Sequence, residues 1–247
     1  CTATLIGCQT MLTAAHCVCA GPSAATCGTP TTTNKFVFFQ HNGAYNLSSI
    51  AVHPGYDSNA GLGNHDLAIL RLAAPVAGIK PATLGASVAL GTTVQMVGFG
   101  TAGPSLSSGT KGQGSSVTGQ CDHAIGTAIC YNFEAPLGPP GTDSTACPGD
   151  SGGPMYAVQG GISRLVGATS GGQGPGFADC TAPVQGVYSA VAPDLSWITS
   201  VAAGDLGQGH CGTLENAGSS GSPIAGTSGI LAPGADTMLL PVNVPAG

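Results

Sequence analysis

Residues 147–154 read CPGDSGGP, and no other stretch constrains the fold as tightly. Gly149, Gly152 and Gly153 surround Asp150 and Ser151, so the backbone here is free to take angles that a Cβ opposes. A chain that turns this sharply around a hydroxyl aims the N–H groups of Gly149 and Ser151 into one small space. Two convergent donors beside a nucleophile suit a carbonyl carbon that becomes a tetrahedral oxyanion. A serine hydroxyl is too weakly acidic to attack unaided, so the fold must also bring a base to it from elsewhere.

Two upstream stretches supply candidates. TAAHC at 13–17 carries His16, and DLAIL at 66–70 sets Asp66 at the head of an apolar, strand-like run. TAAHC, DLAIL and GDSGGP, in that order, resemble the chymotrypsin/trypsin family of serine endopeptidases. HPGYD at 53–57, VGFGTA at 97–102, GVYSAV at 186–191 and SWI at 196–198 extend the resemblance over residues 1–203. It implies that His16 is the general base, Asp66 its orienting carboxylate and Ser151 the nucleophile, with the N–H groups of Gly149 and Ser151 as the oxyanion hole. Ser170 falls where the family has a serine bonded to the aspartate. Ser170, Gly171 and Gly172 resemble the edge strand on which a substrate backbone pairs. Thr145 then forms the floor of the specificity pocket, with Gly172 and Gly186 as open walls. A shifted alignment puts Asp143 at the floor instead. With Thr145 there, no acid meets an Arg or Lys side chain.

Plainer readings compete at several positions. Asp57 rivals Asp66, but it sits in a Pro-Gly-Tyr turn without a following apolar run. His41, His53, His65, His123 and His210 read as surface or hydrogen-bonded residues. His65 adjoins Asp66, and strand alternation turns it away from the catalytic side chains. The resemblance also implies an apolar N-terminus upstream of Cys1, whose ammonium pairs with Asp150. The sequence begins at Cys1, so the expectation is a poorly active chain in which Asp150 turns outward or distorts the hole.

Ten cysteines point to an oxidising compartment, and hence to a secreted protein. The resemblance pairs Cys1 with Cys17, Cys121 with Cys130, and Cys147 with Cys180. Cys19 and Cys27 read as a local clasp, which leaves Cys8 for Cys211. A zinc site from Cys8, Cys17, Cys19 and Cys27 is the rival, though its spacing matches no common ligand pattern.

Charged residues make up only 6% of the chain and the net charge is −6, which excludes a phosphate-tracking basic stripe and so nucleic-acid binding. No apolar run is long enough to span a bilayer. No cofactor or metal is implied, since Asp57 alone between His53 and Asp66 gives calcium no ligand cluster. The partners expected are a peptide or protein substrate and a protein inhibitor, and the expected state is a monomer.

Short strand-like runs at 2–6, 35–40, 47–53, 67–72, 93–97, 115–121, 128–131, 154–158, 163–169 and 185–190 alternate with turn signals. Stretches at 101–116, 135–142 and 171–176 read as loops, and Pro193 with Asp194 opens the one convincing helix. The reading is all-β: two antiparallel Greek-key β-barrels, about 1–83 and 92–203, with a short C-terminal helix. Residues 204–247 form a Gly/Ser/Pro-rich tail in which 239–242 is a further strand candidate. Beside an endopeptidase, a catalytically silent binding scaffold and a general esterase stand as alternative functions.

Overall fold

Ten of the twelve strands in the computed structural model lie on runs read from the sequence, and the model joins all twelve into two six-stranded closed barrels. It describes residues 1–101, 108–122, 126–134, 143–207, 211 and 237–239. His123, His210, the 135–142 loop and residues 240–242 lie outside these. The first barrel uses β1 (Thr2–Leu5), β2 (Thr10–Thr13), β3 (Phe36–Phe39), β4 (Gly43–Val52) and β5 (Ala68–Leu72). The second uses β6 (Thr93–Gly98), β7 (Gly112–Gly119), β8 (Ala128–Phe133), β9 (Pro154–Gln159), β10 (Ile162–Gln173) and β11 (Val184–Ala190). Strand β12 (Thr237–Leu239), within the stretch read as tail, pairs with β1 and β3 and closes the first barrel. Every ladder is antiparallel. The pairings of β2 with β5 and of β8 with β11 carry the chain past nearer neighbours, as in a Greek key.

Alternation along the strands decides which faces meet. Met11, Leu70 and Leu72 point into the first barrel with Ala3, Leu5, Val37 and Phe39. Their strand neighbours Leu12 and Ile69 point the other way and are equally buried, because they pack against Val97, Tyr156, Leu165 and Ile198. Strands buried on both faces read as near-continuous apolar runs rather than as alternation. Val94, Met96, Tyr131, Met155 and Tyr188 fill the second barrel.

Some expectations change. TMLT of β2 is too short to show a period, so only its ladders with β1 and β5 make it a strand. β7 and β10 extend into 112–116 and 171–173, glycine-rich stretches read as loops, because partners on β6 and β11 override weak local preference. A four-residue helix, α1 (Ala24–Cys27), lies inside the Cys19–Cys27 clasp, where Ser23 and Thr26 exchange capping bonds. Asp57 accepts from the Asn59 N–H at the start of a 3₁₀ turn, a local role. No helix among the described residues is long and apolar enough to cross a membrane.

Helix α2 (Leu195–Ala202) buries Ile198 and Ala202 against the inter-barrel cluster. Two carboxylates moor it. At its C-terminal end Asp205 accepts from the Cys8 and Gln9 N–H groups and the Thr10 hydroxyl, and Cys8 is also bridged to Cys211. At its start the buried Asp194 caps nothing; its Oδ1 takes a hydrogen bond from His65 Nδ1 at 2.8 Å and lies 3.3 Å from His53 Nε2. The expectation that His65 lies on a strand is corrected. Its φ is 49°, β5 begins only at Ala68, and this turn swings the imidazole to Asp194. The two imidazoles stack with centroids 4.5 Å apart, and the Trp197 ring meets His53 edge-on.

Burial holds His53 below its ordinary 6.5, with His65 adding to the effect and the Asp194 charge opposing it. The unfolded chain therefore takes up this proton first. Stability is complete above the unfolded value and is lost as pH falls through the folded one. Melting temperature is expected to fall more steeply from about pH 7 to pH 5 in the wild type than in His53→Asn; equal slopes would remove His53 as the cause. Asp205→Ala strips three donors of their acceptor and is expected to cost about 1–3 kcal/mol, seen as a lower urea midpoint at unchanged slope.

Candidate active site

Asp66 is the point at which the two barrels meet chemically. It is only 4% exposed. Oδ1 accepts the His16 backbone N–H at 2.9 Å, Oδ2 pairs with His16 Nδ1 at 2.7 Å, and Oδ2 also accepts the Ser170 hydroxyl at 2.7 Å. His16 sits on a 3₁₀ turn, Ala15–Cys17, that follows directly from β2. Ser170 comes from the second barrel. The register of β10 against β11 slips between Thr169 and Gly171, so Ser170 is the unpaired residue of a bulge. Bulges re-aim side chains in this way beside functional sites. The Ser170 oxygen accepts the Gly63 N–H at 3.0 Å, which directs its own proton to Asp66.

With Nδ1–H donated to a carboxylate, the lone pair of neutral His16 stands on Nε2. Nε2 lies 3.9 Å from Cys17 Sγ, and the same sulfur is 3.6 Å from the Ser151 carbonyl oxygen. The imidazole and the nucleophile loop therefore flank one disulfide. Among the described residues, the Ser151 hydroxyl has no hydrogen-bond partner.

First-barrel residues anchor the loop that carries Ser151. The Thr2 N–H donates to the Ser151 carbonyl at 2.7 Å, and the Thr2 hydroxyl donates to the Gly149 carbonyl at 3.1 Å. Gly152 has a φ of 79°, and a Cβ there would run into Thr13 and the Thr2 carbonyl, so only glycine fits. Gly149 has a φ of 101°, and a Cβ there would crowd the Gly100 backbone. The N–H groups of Gly149 and Ser151 donate to no acceptor among the described residues.

Asp150 does not turn outward. Its carboxylate accepts the Gly100 N–H at 2.7 Å and the Cys147 N–H at 2.8 Å, and the loop keeps its turn. The charge of the Cys1 ammonium adds to these two backbone donors in favouring the carboxylate. They do not fully offset desolvation, and the Asp150 pKa stays above its usual value. Asp150 also lines a cavity with Gly98, Gly112 and Tyr188.

The expected open walls are filled. Register sets Gly172 opposite Gly186 and Gly186 opposite Tyr131, so all three face one side of the sheet. A Cβ on Gly186 would overlap the Tyr131 ring, and one on Gly172 would overlap Phe177. The fully buried Tyr131 accepts the Ala146 N–H at 2.7 Å and has its hydroxyl 3.2 Å from Thr145 Oγ1. Burial pushes its pKa up to about 12. Thr145, not Asp143, meets this hydroxyl. Neither aromatic was singled out from the sequence. A Tyr in a strand run and a Phe in a glycine-rich loop carry no local sign of where their rings lie.

All five disulfides form as paired from the sequence, Cys8–Cys211 included. Cys8, Cys17, Cys19 and Cys27 are thus oxidised, and the rival zinc site has no thiolates. His53, His65 and Asp194 also gather within metal-binding reach of one another. The Gly55 N–H donates to His53 Nδ1, however, so the ring proton sits on Nε2, where a metal needs a lone pair.

A protein-family model described as Trypsin matches residues 1–198. Fibrinolytic enzyme, isozyme C, from Lumbricus rubellus is 31% identical over 167 residues, covering 62% of this chain and 68% of that protein. Chymotrypsin-like elastase family member 1 from Canis lupus familiaris is 29% identical over 228 residues, with 82% and 81% covered. The solved structure of mouse neuropsin, a serine protease, shares the fold with a TM-score of 0.61 at 22% identity, covering 81% of this chain and 87% of that one. The chain belongs to the trypsin family.

Proposed function

We propose that this chain is a secreted serine endopeptidase that works through an acyl-enzyme on Ser151. The observation that carries the reading is the Asp66 carboxylate, which holds His16 Nδ1 and Ser170 Oγ at 2.7 Å each and leaves Nε2 as the available base. Ser151 Oγ passes its proton to Nε2 as it bonds to the substrate carbonyl carbon, and the developing oxyanion takes the N–H groups of Gly149 and Ser151. On collapse the C–N bond breaks and Nε2 returns the proton to the leaving amine. Water, deprotonated by the same nitrogen, then releases the acyl group. The edge of β10 beyond Thr169 pairs with β11 only, which leaves residues 170–172 open for a substrate strand. Five disulfides support an oxidising destination.

A binding scaffold without turnover is the second reading. The observation in its favour is the Ser151 hydroxyl, which makes no hydrogen bond to His16. Catalytic hydrogen bonds often tighten only when substrate binds, so this geometry alone does not remove the first reading.

A fluorophosphonate probe is expected to label the wild type and not Ser151→Ala; a wild type that stays unlabelled would leave the scaffold. Cleavage of a protein substrate, and not of simple esters alone, separates an endopeptidase from a general esterase. Asp66→Asn puts the imidazole in the wrong tautomer and is expected to lower kcat by ~10⁴-fold, the scale known for such a triad. Asp150→Ala removes the acceptor of the Gly100 and Cys147 N–H groups and is expected to loosen the hole and lower kcat/KM, and equal rates would count against this role of Asp150.

A further inference from the structure

We propose that Tyr131 and Phe177 set the substrate class of this site, and that it takes peptides whose residue on the acyl side of the scissile bond is small and uncharged, of alanine or serine size. The inference rests on Ser151 as the nucleophile. Gly172 and Gly186 sit directly opposite each other at the open end of β10, two residues past Ser170. Taken alone, two such glycines describe a wide slot. The slot is already occupied, since Tyr131 lies over Gly186 and Phe177 lies over Gly172.

Neither ring is easily displaced. Moving Tyr131 would bury an unpaired Ala146 N–H and break the contact with Thr145. Phe177 belongs to a loop closed by backbone bonds from Phe177 to Gly174 and from Thr181 to Gly176. The Cys147–Cys180 disulfide ties that loop to the nucleophile segment. A large side chain entering here has to expel one ring or the other. A cationic one finds Thr145 at the floor, and the carboxylate of Asp150 already faces two backbone donors.

The test is a panel of peptide p-nitroanilides alike except for the acyl residue, which is Ala, Leu, Phe or Arg. Wild type is expected to favour Ala over Phe and Arg by roughly 100-fold in kcat/KM. Phe177→Ala, at a half-exposed position that the fold tolerates, is expected to raise the Phe-to-Ala ratio by about tenfold or more. A readout that needs no catalysis uses Ser151→Ala. Indole is expected to bind Ser151→Ala/Phe177→Ala, and not Ser151→Ala alone, by NMR shift titration. Comparable wild-type rates after Phe or Arg would overturn the proposal. So would a Phe177→Ala variant that neither shifts the ratio nor admits indole. Failure of fluorophosphonate to label Ser151 would strike the endopeptidase reading instead, and indole binding would still decide who fills the slot.

Discussion

A buried carboxylate is tolerated only where donors replace the water it has lost. Asp66 meets that demand with a backbone N–H, an imidazole N–H and a hydroxyl drawn from both barrels. Apolar burial between Leu12, Ile69, Val97 and Leu165 draws the barrels together without preferring one fine alignment. The three bonds to Asp66 are directional, and they are fully made only when the bulge at Ser170 stands opposite the His16 turn. The same carboxylate thus holds the barrel interface in register and fixes the tautomer of His16. The mechanism proposed for the chain inherits its geometry from a solvation requirement.

Asp66 and its neighbour show how far such an arrangement depends on one backbone angle. His65 and Asp66 are adjacent in sequence, yet their side chains serve partners on different elements, Asp194 before α2 and His16 after β2. The left-handed φ at His65 makes that divergence and returns the Leu67 N–H to the His65 carbonyl at the head of β5. Strand alternation predicts the same outcome, an imidazole facing away, for a different reason. The turn additionally locks α2 to the segment that carries Asp66. A helix on the far side of this turn is in this way coupled to the orientation of the Asp66 carboxylate.

Local chemistry made much of this molecule readable. Gly152 and Gly149 need positive φ and close approach, so GDSGG betrays the nucleophile turn in its letters. β5 and β10 announce themselves by apolar runs. Three disulfides follow from a resemblance carried by short motifs, and Cys19–Cys27 reads as a local clasp that leaves Cys8 for Cys211. What escaped depends on partners far along the chain. β2 becomes a strand because β1 and β5 flank it, and β12 because β1 and β3 leave a gap that it closes. Asp150 was expected to turn outward because its backbone donors, Gly100 and Cys147, are recognisable only once the loop is folded.

The pocket makes the same point more sharply. Reading open walls from Gly172 and Gly186 treats room as a property of the residue that lacks a side chain. Room in a sheet belongs to the row of residues facing one way across neighbouring strands, and here that row ends in Tyr131 on β8. A glycine beside a large aromatic gives space to the aromatic and none to a ligand. The hydroxyl of Tyr131 then finds Thr145 and the Ala146 N–H, so the residue at the floor is engaged by the protein before any substrate arrives. Thr145 and Asp143 are thus not the whole of what shapes this slot. The side chains that bound the slot come from a strand and a loop outside every motif that identified the family.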